Sequence, residues 1–315
     1  MLMVMVPGNA DLELSYTAVF GQTQLKSAMD SLKSRYISSV ILIFKAGIIV
    51  WLIWHFIHSP DAKTFSFDSQ FWLFCLVGFV AQMIDGTLGM AYGVTCTTLL
   101  LQFGVSPAYA SASVHAAKVF TSGVSGLSHL YLKNVDKALF VRLVIPGVIG
   151  ATIGAYLLSK VLDGSVVKPF IAGYLLILGV FILVKSFGKP IFREEVKNVS
   201  PLGFFGGLLD AIGGGGWGPI VTSNIIRRGK TPLMTIGTVN TVEFFIAFFG
   251  TGVFLFFLGI QGWKPLLGLI VGGIVAAPLS AWLVRFIKPK VLMVIVGLAI
   301  VLTSMYTIYG SIQAR

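Results

Sequence analysis

The chain has 315 residues, of which 56% are hydrophobic and only 11% are charged, and its mean hydropathy is +0.90. Apolar runs near the ~20 residues that span a bilayer recur along it, which excludes an ordinary soluble domain and predicts an all-α membrane protein. The net charge of +11 does not indicate a nucleic-acid partner, because the Lys and Arg residues lie mostly in short loops, as on the cytoplasmic side of a membrane. The two cysteines fall in apolar segments, so no disulfide, metal site or cofactor is predicted.

Residues 1–66 are predicted to form a cytoplasmic N-terminal segment and one accessory transmembrane helix. The opening "MLMVMV" meets a proline and two acidic residues before an apolar core adequate for a signal peptide has formed, so this segment is expected to stay attached. Basic residues precede the first apolar span, at about 37–57, which indicates a cytoplasmic N-terminus.

An internal repeat divides the rest of the chain into a first transporter repeat, 67–190, and a second, 191–315. A shift of 125 positions superposes Asp85 on Asp210, Pro107 on Pro232 and several glycines on glycines without a gap. Matches in such scarce residue types indicate a duplication. Each repeat has four apolar segments, at about 71–103, 107–132, 138–160 and 166–186 in the first and at about 200–226, 232–258, 264–285 and 289–310 in the second.

The first segment of each repeat carries an aspartate and glycines in its middle. Glycine disfavours a continuous helix by ~1 kcal/mol per residue relative to alanine, so "DGTLGMAYG" and "DAIGGGGWGP" are predicted break points.

The basic residues favour re-entrant first segments. Of the 23 basic residues, Lys45, Lys118 and Arg142 lie within spans, and the other 20 divide into 11 inside and 9 outside if all nine segments cross the membrane. If both broken segments return to the side that they entered, the division becomes 15 inside and 5 outside. The positive-inside rule therefore predicts seven true crossings and two inverted repeats.

The repeated broken segment, "GFVAQMIDGTLGMAYGV" and "GFFGGLLDAIGGGGWGP", each followed by a helix that begins with proline, resembles the sulfite exporter TauE/SafE family of membrane permeases over about residues 70–310. The second repeat keeps the glycine-rich element followed by proline that is typical of the family, whereas the first repeat lacks that proline. The resemblance implies transport of sulfite, organosulfonates or related sulfur-containing anions. We expect a bacterial cytoplasmic (inner) membrane location, and a homo-oligomer is left open.

The residues themselves predict an anion site. Backbone N–H groups at glycine-rich breaks, and the positive ends of the helices that restart there, suit an oxyanion. In "VSPAYASASVHAAKVF" the spacing i, i+4, i+7 places Ser111, His115 and Lys118 on one helical face, so a cation and two donors converge. The predicted substrate-binding residues are Ser111, Ser113, His115, Lys118, Gly89, Gly93, Gly214, Gly215, Gly216, Thr238 and Asn240.

Three carboxylates are predicted to serve coupling or structure. Asp85 and Asp210 suit the capping of the restarted helices better than contact with an anion, which a carboxylate repels. Glu243 is the repeat equivalent of Lys118, so an alternative is that these two residues only neutralise each other. Structural alternatives are that the histidines of this region form hydrogen bonds to neighbouring helices and that the glycines permit close helix packing. Coupling by a proton relay through these carboxylates and His115, and uniport down the membrane potential, both stay open.

Two other functions are less favoured. The sequence "GVSG" at 123–126 matches the short nucleophile motif of rhomboid intramembrane serine proteases, but His115 and His129 share the serine's own segment. No repeated ring of charge supports a passive anion channel. The sequence therefore predicts a transporter and not an enzyme, an exporter that works by alternating access around the two broken segments.

Overall fold

The computed structural model describes residues 36–59, 65–88, 90–187, 198–228, 230–259, 263–283 and 289–313. Phe44–Arg315 form one compact unit, and of the separate N-terminal unit, Met1–Ile43, the structure describes the start of a helix. The predicted cytoplasmic segment 1–35 lies outside the described residues. Within them the chain is helical and contains no strand, which confirms the all-α prediction.

Eleven helices lie within the described residues. They are α1 (Tyr36–His58), α2 (Ser69–Leu88), α3 (Tyr92–Gln102), α4 (Pro107–Tyr131), α5 (Lys137–Tyr156), α6 (Gly164–Phe187), α7 (Ser200–Gly213), α8 (Ser223–Arg227), α9 (Pro232–Leu258), α10 (Trp263–Leu283) and α11 (Pro289–Gln313). Turns of π-helix continue α5 through Leu157–Val161 and precede α8 at Gly218–Thr222.

Prolines and a capping aspartate set the starts of the central helices. Pro107 and Pro232 occupy the first positions of α4 and α9, where a missing N–H leaves no hydrogen bond unmade. Asp136 caps α5, because its Oδ1 accepts hydrogen bonds of 3.0 Å from the N–H groups of both Ala138 and Leu139. These local signals explain why the predicted segments 107–132 and 232–258 agree with α4 and α9 to within one residue.

Five helices are long and apolar enough to cross a membrane: α1, α5 with its π-helical turn, α6, α9 and α11. Shorter apolar helices, Ser69–Asp85 and Trp263–Ala277, lie in α2 and α10. Helix α4 is as long as these spans but is richer in polar residues. The chain is therefore a multi-pass membrane protein by length and composition.

The long helices pack in pairs that the shift of 125 positions relates to one another. Helix α2 packs along α10, and α7, the counterpart of α2, packs along α5, the counterpart of α10. Glycines permit this approach: a Cβ on Gly78 would lie 2.5 Å from the backbone oxygen of Leu269, and one on Gly203 would lie 3.1 Å from that of Leu143. Close helix packing, one of the structural alternatives given for the glycines, thus accounts for Gly78 and Gly203.

Helices α4 and α9 pack against each other, and so do α6 and α11. Each of these pairs joins one helix to its own counterpart under the shift. The opposed orientation of the two repeats stays a prediction.

Contacts between loop ends bear on the number of crossings. Lys230 Nζ lies 2.7 Å from Asp136 Oδ2, and Lys290 Nζ lies 4.8 Å from the ring centroid of Phe187. If all nine segments crossed, the two partners of each contact would lie on opposite sides of the membrane. If both broken segments turn back, each contact lies on one side. The contacts therefore support the re-entrant arrangement.

Candidate functional site

Both broken segments are interrupted at the glycine-rich positions predicted from the sequence, and the two interruptions contact each other. Helix α2 ends at Leu88 and α3 begins at Tyr92, while α7 ends at Gly213 and helical structure resumes at Trp217. Thr97 Oγ1 donates a hydrogen bond of 2.7 Å to the backbone oxygen of Gly214.

A glycine at position 93 is needed for this contact. A Cβ there would lie 2.8 Å from Gly214 O, 2.8 Å from Gly215 Cα and 2.9 Å from Lys118 Nζ, all too close for a real side chain. Gly93 therefore lies at a point where the first break, the second break and the α4 lysine converge. The predicted Gly89 lies outside the described residues.

In each repeat, the aspartate before the break holds the first residue after it. Asp85 Oδ1 accepts a hydrogen bond of 3.3 Å from the N–H of Tyr92, and Asp210 Oδ1 accepts one of 3.0 Å from the N–H of Trp217. These two bonds are equivalent under the shift of 125. Their geometry is that of the predicted capping role, in which a carboxylate stabilises an N–H group left unpaired at a helix start.

The residue just before each restart has a positive φ angle, 91° for Ala91 and 149° for Gly216. A side chain is strained in this region, whereas glycine is not. The first break therefore holds a strained alanine at the position where the second break holds a glycine.

Four ionisable side chains from both repeats form what we call the central cluster: His115 and Lys118 of α4, Asp210 of α7 and Glu243 of α9. Lys118 Nζ lies 3.1 and 3.2 Å from the two carboxylate oxygens of Asp210 and 2.9 Å from Oε1 of Glu243. His115 Nε2 lies 3.2 Å from Asp210 Oδ2, within ion-pair distance but not aligned for a hydrogen bond. All four side chains are buried. One ammonium thus bridges two carboxylates inside the protein.

Serines on α4 join the central cluster to its surroundings. Ser122 Oγ donates a hydrogen bond of 3.2 Å to Glu243 Oε2, and Ser111 Oγ donates one of 2.6 Å to the backbone oxygen of Ala211. Nδ1 of His115 lies 2.9 Å from the backbone oxygen of Ser111. The spacing correctly placed Ser111, His115 and Lys118 on one face, and that face meets α7 and α9.

The charges of the central cluster do not leave Lys118 available as a free cation. One ammonium faces two carboxylates, and a buried charge needs such partners. The Lys118–Glu243 ion pair that the sequence left as an alternative is present. The Asp210 contact was not anticipated, because it joins two helices whose residues lie 92 positions apart in the sequence. Anion binding at Lys118 stays a prediction.

Three of the predicted site residues lie apart from this cluster. Thr238 Oγ1 accepts a hydrogen bond of 2.8 Å from the N–H of Asp136, and so lies beside the start of α5. Asn240 Nδ2 donates one of 3.0 Å to Ser125 Oγ, the serine of the protease motif, and no histidine of the described residues is hydrogen-bonded to that serine. Ser113 is buried, and in the described part of the chain it makes no hydrogen bond to the cluster.

Sequence reasoning missed a second cation beside the breaks. Lys185, in the last turn of α6, donates a hydrogen bond of 2.7 Å to Ser223 Oγ and lies 3.8 Å from Met90 Sδ. Met90 belongs to the first break, and Ser223 begins α8. A lysine at a helix end usually faces solvent or the helix's own carbonyl groups, so no local pattern predicts that this one points inward.

Within the described residues, no group of three or more His, Cys, Asp or Glu side chains is arranged to hold a metal ion. The two cysteines, Cys75 and Cys96, are both buried and form no disulfide.

The fold and this site define a multi-pass helical membrane protein with two interrupted segments in contact around buried charges. The sulfite exporter TauE/SafE family matches residues 74–307, and the chain belongs to this family of membrane transporters, as the resemblance predicted.

Two relatives agree with this assignment. The chain is 46% identical over 246 residues to the probable membrane transporter protein YtnM of Bacillus subtilis (strain 168), a match that covers 75% of this chain and 82% of that protein. It is 27% identical over 146 residues to sulfite exporter TauE/SafE family protein 3 of Arabidopsis thaliana, covering 44% of this chain and 30% of that protein. No solved structure matches the chain.

Proposed function

We propose that this protein is a secondary transporter that exports small sulfur-containing anions, such as sulfite or organosulfonates, across a bacterial cytoplasmic membrane. The family description and the name of the Arabidopsis relative both refer to sulfite export, and the Bacillus relative is described as a probable transporter. The observation that carries the proposal is the contact of the two interrupted segments at Gly93, Gly214 and Gly215. Interrupted helices present backbone N–H and C=O groups within the membrane, and transporters bind their substrates at such places.

The transport cycle that we propose is alternating access with the central cluster as its pivot. Lys118 lies in the first repeat, whereas Asp210 and Glu243 lie in the second, so their ion pairs join the two repeats. Removing one partner of a buried ion pair leaves an uncompensated charge, at a cost of about 3–5 kcal/mol. Ion pairs of this kind are poor candidates for rupture in every cycle. The repeats therefore rock about the cluster while access changes at either side of it.

Flux into liposomes that contain the purified protein tests the proposed substrate class. The assay compares sulfite, sulfate, thiosulfate and sulfoacetate with an uncharged solute. We expect saturable flux of at least one sulfur anion, competition among the anions that are carried, and no flux of the uncharged solute. Absence of flux for all four anions would overturn the proposal.

Two glycine variants provide a matched pair for the site itself. Gly93→Ala places a methyl group against Gly214, Gly215 and the Lys118 amine, so we expect flux to be lost. Gly252→Ala, on α9, adds the same methyl group where no atom lies within 4 Å, so we expect flux to be unchanged. Equal effects of the two substitutions would contradict the placement of the site at the contact of the breaks.

The protease alternative is tested with the same preparation. Ser125 is hydrogen-bonded to Asn240 and to no histidine of the described residues, so Ser125→Ala should keep most of the flux. Proteolytic activity that disappears in this variant would support the alternative instead.

A further inference from the structure

We propose that Lys185 binds the transported anion, at a subsite that α6 forms with the first break and with α8. The inference rests on the proposed function and assigns a substrate contact outside the central cluster. Its starting point is that one amine touches both broken segments: Nζ of Lys185 donates a hydrogen bond of 2.7 Å to Ser223 Oγ and lies 3.8 Å from Met90 Sδ.

The partners of Lys185 are neutral, which distinguishes it from the other lysines of the structure that make ion pairs. Lys118, Lys230 and Lys264 each face a carboxylate. Lys185 is part-buried, yet no carboxylate of the described residues forms an ion pair with it. An ammonium inside a protein is normally paired, because an uncompensated charge is costly to bury. A mobile anion would supply the missing negative charge at Lys185, whereas two fixed carboxylates already supply it at Lys118.

The hydrogen-bonding groups also fit an oxyanion. The ammonium has three N–H donors, of which one is directed to Ser223. Because the Ser223 oxygen accepts that bond, its own O–H remains a donor. A lysine and a serine hydroxyl at hydrogen-bond distance from each other therefore present two donors to neighbouring oxygens of a sulfite, sulfonate or sulfate group. The chemistry favours a small anion with several oxygens over a halide.

The position of Lys185 makes the subsite one-sided. It lies in the last turn of α6, an end that the predicted topology places toward the cytoplasm. The corresponding stretch of α11, residues 305–310, contains no basic residue. An anion that leaves the cytoplasm would meet Lys185 first, and the corresponding stretch of α11 offers no such cation. The subsite thus serves loading from the side at which α6 ends.

Kinetics of reconstituted variants test this assignment, with the anion that the unmodified protein carries. We expect Lys185→Gln to raise the KM at least tenfold, Ser223→Ala to raise it several-fold, and Lys185→Arg to stay within about threefold of the unmodified value. Lys160→Gln is the control, because Lys160 is an exposed lysine at the end of another span and lies over the Phe257 ring. A KM that is unchanged in Lys185→Gln, or raised equally in Lys160→Gln, would overturn the inference.

Chemical restoration of the charge separates binding from packing. In a protein whose two native cysteines are replaced, Lys185→Cys should lose high-affinity flux. Modification with aminoethyl methanethiosulfonate, which restores an ammonium, should recover it, and modification with methyl methanethiosulfonate should not. Equal recovery with both reagents would indicate a packing role and overturn the inference. Absence of flux in the unmodified protein would overturn the proposed function and this inference with it, whereas normal flux with an unchanged KM in both Lys185 variants would overturn the inference alone.

Discussion

Removal of the Lys118 ammonium is expected to destabilise the protein more than removal of either carboxylate that it contacts. The central cluster holds one fixed positive charge, on Lys118, and two fixed negative charges, on Asp210 and Glu243. Lys118→Met would leave both carboxylates buried without that cation. Since loss of one partner of a buried pair costs about 3–5 kcal/mol, and two pairs are lost here, the expected loss is about 5 kcal/mol.

Neutralising one carboxylate should cost less than removing the ammonium, because Lys118 keeps the other carboxylate as its partner. Glu243→Gln leaves Lys118 paired one to one with Asp210, so its expected cost is about 1 kcal/mol, the scale of a single hydrogen bond. Asp210→Asn leaves the Lys118–Glu243 pair, but it weakens the bond from the N–H of Trp217 and removes the charge that faces His115. The expected order of destabilisation is Lys118→Met, then Asp210→Asn, then Glu243→Gln.

Thermal unfolding of the purified variants, followed by size-exclusion chromatography after heating, measures this order. With roughly 2–4 °C of midpoint per kcal/mol, Lys118→Met should lower the midpoint by about 10–20 °C and Glu243→Gln by less than about 4 °C. The triple variant Lys118→Met, Asp210→Asn, Glu243→Gln should recover much of the loss, because none of these three positions then keeps a charge. Equal losses in Lys118→Met and Glu243→Gln, or no recovery in the triple variant, would refute the electrostatic reasoning.

The same triple variant also decides between the two roles considered for Lys118. If Lys118 attracts the anion, a folded triple variant should be inactive. If Lys118 is a counter-charge at a pivot, flux should survive. Flux near the unmodified level would therefore defeat the predicted anion site at Lys118.

Three further outcomes are expected. Ala91 and Gly216 both have a positive φ angle. Ala91→Gly should therefore relieve strain and raise the unfolding midpoint slightly, whereas Gly216→Ala should prevent stable folding or lower the midpoint sharply. A cysteine at Ser106, in a background without the native cysteines, should react with an impermeant thiol reagent from outside; labelling only from the cytoplasm would restore nine crossings. Burial raises the pKa of Asp136, but hydrogen bonds from Lys230 and from two backbone N–H groups outweigh this effect and hold the pKa below its ordinary value. The Asp136–Lys230 ion pair should therefore stabilise the protein above about pH 4 and lose its effect as the pH falls through the lowered pKa. Asp136→Asn should flatten this part of the profile of stability against pH.

The helices could be predicted from the sequence because their signals are local. Apolar runs of membrane-spanning length, prolines at the first helical position and glycines at the breaks act within a few residues of the boundary that they set. The predicted span at 37–57 and helix α1, Tyr36–His58, differ by one residue at each end. The shift of 125 positions added one piece of long-range information, since it brought Lys118 and Glu243 to equivalent positions before their ion pair was known.

The remaining parts of the site could not be predicted, because they depend on how distant helices face one another. Asp210 lies 92 residues from Lys118 in the sequence, and its carboxylate reaches the ammonium through the packing of α7 near α4. The inward direction of Lys185 depends on the packing of α6 against both broken segments. Charge composition treats such a lysine as one more basic residue at a helix end, which is how it entered the count of cytoplasmic charges.

The two repeats share the features that form the breaks, but they differ in their charged residues. The shared features build the breaks: an aspartate that holds the first residue after each break, and a positive φ just before each restart. The unshared features are charges, since Lys118 is matched by Glu243 and Lys185 by no basic residue. A duplicated scaffold with identical charges would offer an anion the same site from both sides of the membrane. The asymmetry in charge places the Lys118 ammonium of the first repeat against two carboxylates of the second, and it leaves Lys185, which pairs with no carboxylate of the described residues, near the end of α6. If Lys185 binds the anion as proposed, binding is favoured on one side of the membrane, because the Lys118 ammonium at the centre already faces two fixed carboxylates.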